Sequence, residues 1–380
     1  MVVWKARAKR GRVLGLAVSL TVAALLAAFV PAVDWTHAIA GVDRGLLQTA
    51  ESGRRTASMQ TVALAPRVHR PTTGLGALPA GMVLGYFYDP GGTPSAVSMI
   101  KRYLPVLTGV IPFWYTIESN GSLSGSTDPA VLKLAEQHKL WTFALVENMA
   151  GQPVFGPLLN SPVARKRAIE NMLTLVESNG YNGVNLDWEG IASTERHQFS
   201  TFVQQLAETF HRHGYYVTLS IPAETQNQPQ NSWTGAYNYR ALGRSADLLM
   251  IMAYDQHYAG GQPGPIASAS WVKQVLDYTI SVVKPSKVVL GIPGYGYDWS
   301  GNGPAAALTY SQAKSLASQY GKSGKSNHFV YMQNGQLHSV WFENTASLLA
   351  NTNLVSGYEL RGIALWRLGI EDPKIWDFLQ

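Results

Sequence analysis

Asn182-Gly183-Val184-Asn185-Leu186-Asp187-Trp188-Glu189 is the stretch on which the rest of the chain turns. Polar side chains fall at 185, 187 and 189, separated by Leu186 and Trp188. Alternate side chains on a strand share a face, so the three polar groups point the same way. Burying such a row costs free energy unless its members are paired and used. At the carboxyl end of a barrel strand the row would face an active site.

Reading outward in both directions, short apolar runs recur. Met82–Tyr88, Val110–Tyr115 and Leu140–Val146 come before the row, and Gly183–Glu189 is the fourth. Tyr215–Ile221, Asp247–Tyr254, Lys287–Ile292 and Gly362–Trp366 follow it. Helical stretches lie between most of them, including one after Ser161, a good N-cap, and others over 194–213 and 268–283. Eight such strands predict a parallel sheet closed into a (β/α)8 TIM barrel, spanning residues 81–380. A doubly wound open sheet would want a glycine-rich phosphate turn after the first strand, and Gly85–Pro90 is not one. The last two strands are too far apart for one helix. Residues 295–345 are therefore expected to form a small α+β insertion, with a helix (311–319) and a hairpin turning at Asn334-Gly335. It should wall one side of a groove on the catalytic face.

Composition limits the alternatives. Hydrophobic residues make up 46% of 380 and charged residues 14%, so the chain can bury a core. The formal charge of +6 is concentrated at the start, where Lys5, Arg7, Lys9, Arg10 and Arg12 face only Asp34. The other 340 residues carry 25 basic and 23 acidic side chains, which gives no footprint for nucleic acid. There is no Cys, which excludes disulfides and thiolate chemistry. His211 and His213 end a helix, where histidine suits the dipole, and are not read as metal ligands.

Val13–Val33 is a run of 21 uncharged residues behind the basic cluster. Residues 1–40 are read as a signal peptide or an N-terminal transmembrane anchor. Ala38-Ile39-Ala40 suits cleavage, and the length of the run suits a span. Either way the body lies outside the cytoplasm, held at a membrane if the segment is uncleaved. Residues 41–80 read as a linker. A monomer is expected.

Two carboxylates one pleat apart raise each other's pKa, so one can stay protonated near neutral pH and serve as a general acid. Gly183, Asn185, Asp187 and Glu189 resemble the D-G-x-D-x-D-x-E signature of family 18 glycoside hydrolases. That resemblance implies Glu189 as catalytic acid/base and Asp187 as the group that orients and stabilises the substrate's N-acetyl group. Asn182 and Asn185 stand where the pattern has Asp. The second departure removes the acid that would share a proton with Asp187 and puts the pH profile in question. Met252-Ala253-Tyr254-Asp255 resembles the family's M-x-Y-D, which implies that Tyr254 reaches the acetamido group and that Asp255 holds the sugar or Tyr254. Trp366 stands where the family places the floor of the site. Tyr86, Phe113 or Trp114, Glu147 and Asn148 are expected to line the groove, as is Glu224.

The resemblance is closer still to the spore cortex-lytic N-acetylglucosaminidases. It rests on Pro112–Tyr115, Gln256–Tyr258, Pro263–Ser268, Val340–Glu343 and Leu368–Pro373. It implies a peptidoglycan or other N-acetylglucosamine polymer as partner, and neither metal nor cofactor. A chitinase-like enzyme and a silent glycan-binding protein are the alternatives.

Overall fold

The computed structural model describes residues 75–88, 96–148, 154–301, 303–322 and 324–379. The expected leader and all but the last six residues of the expected linker lie outside these. Along the chain, β1 (Met82–Phe87) is followed by α1 (Ala96–Lys101) and β2 (Gly109–Ile117). Next come β3 (Leu123–Gly125), α2 (Pro129–Gln137) and β4 (Trp141–Glu147). The helices α3 (Phe155–Asn160) and α4 (Pro162–Asn179) precede β5 (Gly183–Asp187). Then come α5 (Arg196–Arg212), β6 (Tyr216–Pro222), α6 (Tyr239–Ser245) and β7 (Leu248–Met252). The helix α7 (Ala269–Val282) leads to β8 (Val288–Pro293). After it run β9 (Tyr295–Ser300), β10 (Ala306–Thr309), α8 (Tyr310–Gln319), β11 (His328–Gln333) and β12 (Gln336–Phe342). The chain returns through α9 (Thr345–Thr352) to β13 (Gly362–Trp366).

The strands pair in the order β1-β13-β8-β7-β6-β5-β4-β2, and β1 also pairs with β2, so eight parallel strands close on themselves. This is the (β/α)8 barrel expected from the strand count. Leu84, Tyr86, Ile111, Phe143, Leu145, Leu248, Met250 and Val289 fill its interior. The alternate residues of the same strands, among them Val110, Val146, Leu186, Leu219 and Ile251, pack outward under the helices. Most of the strands are thus apolar on both faces, which is why their runs read as continuous, whereas β5 and β6 turn Asn185, Asp187, Thr218 and Ser220 inward. Ser161 caps α4 as expected, its hydroxyl accepting from Ala164 N at 3.2 Å. Gly183 answers to a contact: a Cβ there would lie 2.1 Å from the Tyr216 carbonyl oxygen on β6.

The strands β10-β9-β12-β11 form a separate antiparallel sheet with α8 against one face. The Asn334-Gly335 hairpin is present, both residues in the left-handed region. The strands β9 and β10 do not follow from the sequence reading, nor does β3. Tyr295-Gly296-Tyr297-Asp298-Trp299 is rich in strand formers, but Gly296 and Asp298 obscure its alternation.

Candidate active site

The strand β5 delivers its polar row to the mouth of the barrel. Asn185 is deepest and fully buried. Its Nδ2 donates to Thr218 Oγ1 at 3.0 Å, and its Oδ1 accepts from Ser220 Oγ at 2.9 Å. Thr218 passes its proton to the Val184 carbonyl. With the Ser220 proton given to Asn185, the 2.6 Å contact between Tyr86 and Ser220 must use the Tyr86 hydroxyl as donor. A satisfied, neutral chain of hydrogen bonds therefore forms the floor.

Asp187 stands one pleat above and is 7% exposed, with Oδ1 buried and without a partner. Burial pushes its carboxyl well above the usual range, reinforced by the charges of Glu189 and Glu147. Glu189, partly exposed, is raised to about 7 by burial and then by Asp255 and Glu147. Its main chain is held from the side: Asn148 Nδ2 donates to the Glu189 carbonyl at 2.9 Å, and Glu189 N donates to Asn148 Oδ1 at 2.8 Å. Trp188 points the other way and stacks on Phe202 at 4.8 Å. The hydroxyl of Tyr237, which sequence reasoning missed, donates to the Trp188 carbonyl at 2.6 Å. The residue between the two carboxylates is thus a packed anchor.

Tyr254 and Asp255 follow the end of β7. Asp255 sits at φ 58, a conformation Asp tolerates better than most residues. Its Oδ1 accepts from Tyr295 at 2.6 Å and Tyr297 at 3.0 Å, both on β9 of the insertion. Burial raises Asp255 to about 6, and the two phenols pull the other way. Of the two roles left open for Asp255, the structure shows its bonds running to the insertion rather than to Tyr254. The Tyr254 hydroxyl is pushed up by burial, with Tyr86, Asp187, Glu189 and Asp255 adding to it, so these groups converge on one space. Met252 is partly exposed at the end of the inward row of Leu248 and Met250.

An aromatic wall closes the other side. Trp366 meets Tyr86 edge-on at 5.4 Å and Phe113 at 5.7 Å. Trp114 does not join them. The register of β2 shifts between Phe113 and Tyr115, and Trp114 turns to the outer layer against Phe87 at 6.3 Å. Of the two candidates on this strand, Phe113 is the one at the mouth. Glu147 is 8% exposed and takes a hydrogen bond from the Thr116 hydroxyl. Glu224 is buried beside Tyr239 rather than open to the groove. Asn182 accepts from Thr142 N at 2.8 Å and serves the barrel, not the site.

The sequence profile of the glycosyl hydrolases family 18 matches residues 130–371. The chain belongs to that family. It is therefore a glycoside hydrolase. Over 316 residues it is 28% identical to the uncharacterized glycosylase YvbX of Bacillus subtilis, covering 79% of this chain and 91% of that one. The cortical fragment-lytic enzyme of Bacillus subtilis is 27% identical over 292 residues, 73% of this chain and 68% of its own. Among solved structures, the Bacillus cereus spore cortex-lytic enzyme SleL superposes with a TM-score of 0.73 at 26% identity, covering 80% of this chain and 74% of that one. A chitinase of Chromobacterium violaceum superposes at 0.72 with 29% identity, covering 78% and 97%. In this family 18 hydrolase, then, the carboxylate row, the Tyr254 turn and Trp366 meet at the carboxyl end of the barrel.

Proposed function

We propose that this hydrolase cleaves β-1,4 N-acetylglucosaminyl bonds of peptidoglycan, in spore cortex or cell wall, with retention of configuration and with the substrate as its own nucleophile. The observation that carries the reading is the Asp187–Glu189 pair, poised above the ordinary carboxylate range beside the Tyr254 hydroxyl. Glu189 near 7 can donate a proton to the glycosidic oxygen at neutral pH. The 2-acetamido carbonyl then attacks the anomeric carbon as the bond to the protonated glycosidic oxygen breaks, so the leaving sugar departs as an alcohol and an oxazolinium ring closes in place of a bond to a protein nucleophile. Asp187 balances the positive charge that develops there, and Tyr254 donates to the acetamido oxygen. Glu189, now a carboxylate, takes a proton from the water that reopens the ring. Trp366, Tyr86 and Phe113 offer apolar faces for the reacting sugar.

Peptidoglycan is favoured because the relatives include cortex-lytic enzymes, and the motifs at 112–115, 256–268 and 368–373 point the same way. The uncharged run at 13–33 behind basic residues would hold or send the barrel outside the cytoplasm. The test is product release from purified peptidoglycan and from chitin by the full chain, beside Glu189→Gln. New reducing N-acetylglucosamine ends from peptidoglycan, absent in the variant, are expected. Turnover of chitin alone would transfer the activity to the chitinase class. Binding of polymer without release by either protein would sink the enzymatic reading.

A further inference from the structure

Glu147 is used by none of these steps, yet it stands in the site. The pairing of β4 with β5 sets Glu147 level with Asp187, and the pairing of β2 with β4 sets Thr116 level with Glu147. Phe143 and Leu145, which precede Glu147 at two-residue intervals, face the barrel interior, so Glu147 opens on the same side as Asp187. Neighbouring strands lie about 4.8 Å apart, which leaves the two carboxylates side by side. Below them, every hydrogen of the Tyr86–Ser220–Asn185–Thr218 chain that the structure places is already committed. Asn185 is an amide that can neither hold a titratable proton nor carry charge, and Asp187 Oδ1 receives nothing from it.

We propose that Glu147 is a positioning residue for the Asp187–Glu189 pair: anchored by Thr116, it supplies from the neighbouring strand the negative charge that Asn185 withholds from below, so that the pair keeps its proton at neutral pH. This rests on the hydrolytic reading above and deepens it, giving Glu147 an electrostatic part in place of a sugar contact. The groups facing the three carboxylates support it. Thr116 and Glu118 act on Glu147 from β2 and the residue after it. Glu189 itself acts on Asp187, and Asp255, after β7, acts on Glu189. The phenols of Tyr86, Tyr237 and Tyr254 are held protonated by burial and by the charges of this pair. The charges named as acting on these three acids are all negative, so each favours retention of a proton by its neighbours, while at Glu147 the hydrogen bond from Thr116 works the other way and favours the carboxylate.

The test is Glu147→Gln in the full chain, with Gln able to accept the Thr116 hydrogen bond. Two readouts are taken: the pH profile of kcat/KM, and carboxyl titration by 13C NMR, which needs no turnover. A full charge at this range, screened as protein sites are, moves a neighbour by about one pH unit. The alkaline limb and the Glu189 titration should both move acidward by about that much, with KM within about twofold, the spread expected when no binding contact is lost. Adding Asn185→Asp to Glu147→Gln should bring both back toward wild type. An unmoved titration overturns the proposal, as does a rise in KM with the alkaline limb in place, the mark of a sugar contact. If the wild type turns over neither polymer, the hydrolytic reading fails alone, and the titration still decides whether Glu147 acts on the pair.

Discussion

Replacing Glu189 with Gln should abolish hydrolysis and, at the same time, make the protein more stable. Folding lifts this carboxyl from its ordinary 4.5 to about 7. A group raised on folding binds its proton more tightly in the native state. Below about pH 4.5 it is protonated folded or unfolded and contributes no difference. As pH rises toward 7 the unfolded chain ionises first, and the native state loses stability relative to it. The gap of about 2.5 pH units corresponds to at most about 3.4 kcal/mol above pH 7. Glu189 is partly exposed and shares its charge with Asp187, so about 1–2 kcal/mol is the expected penalty. Gln has the same shape and no charge, and it removes that penalty. Urea unfolding of both proteins at pH 4 and pH 8 measures it. The variant should be more stable by about 1–2 kcal/mol at pH 8 and equal at pH 4. Equal stability at pH 8, or a less stable variant there, would refute the argument that the site holds its acid against an electrostatic cost.

Tyr254→Phe removes the donor proposed for the acetamido oxygen and should lower kcat by about 10²–10³ with little change in KM, as loss of an oxyanion-type donor does; steady-state rates check it. Asn148→Ala strips both main-chain partners from Glu189 and should cost about 1–3 kcal/mol, read by denaturant unfolding, together with a fall in kcat. In Tyr295→Phe/Tyr297→Phe, Asp255 loses the two donors that favour its charge, so its pKa rises above about 6. Neutral near pH 7, it no longer raises Glu189, and the alkaline limb of kcat/KM should move acidward.

The barrel was legible because most of its strands are apolar on both faces and announce themselves without periodicity. Asp187 and Glu189 were legible because polar groups at alternate positions of such a strand have no structural excuse. Glu147 was visible only as a strand end; its place beside Asp187 depends on the β4–β5 register, which one strand's sequence does not state. Phe113 and Trp114 could not be told apart by sequence for a similar reason, since the shift in β2 reassigns which residue faces inward. Tyr295 and Tyr297 escaped notice because they act across about forty residues on Asp255. Their Tyr-Gly-Tyr spacing was the one available hint.

The Asn148 amide grips Glu189 by both its N–H and its carbonyl, so the acid turns on a fixed pivot and reaches only as far as its own side-chain torsions allow. Under the proposed mechanism the same carboxyl serves the departing oxygen and then the arriving water. A fixed pivot means that both must occupy one spot in succession, and the first occupant has to vacate before the second can enter. Any hydroxyl that takes that spot, including one on a second glycan, competes with water on equal geometric terms. The traffic through that small volume, rather than the acidity of Glu189 alone, then sets the balance between cutting a strand and rejoining it.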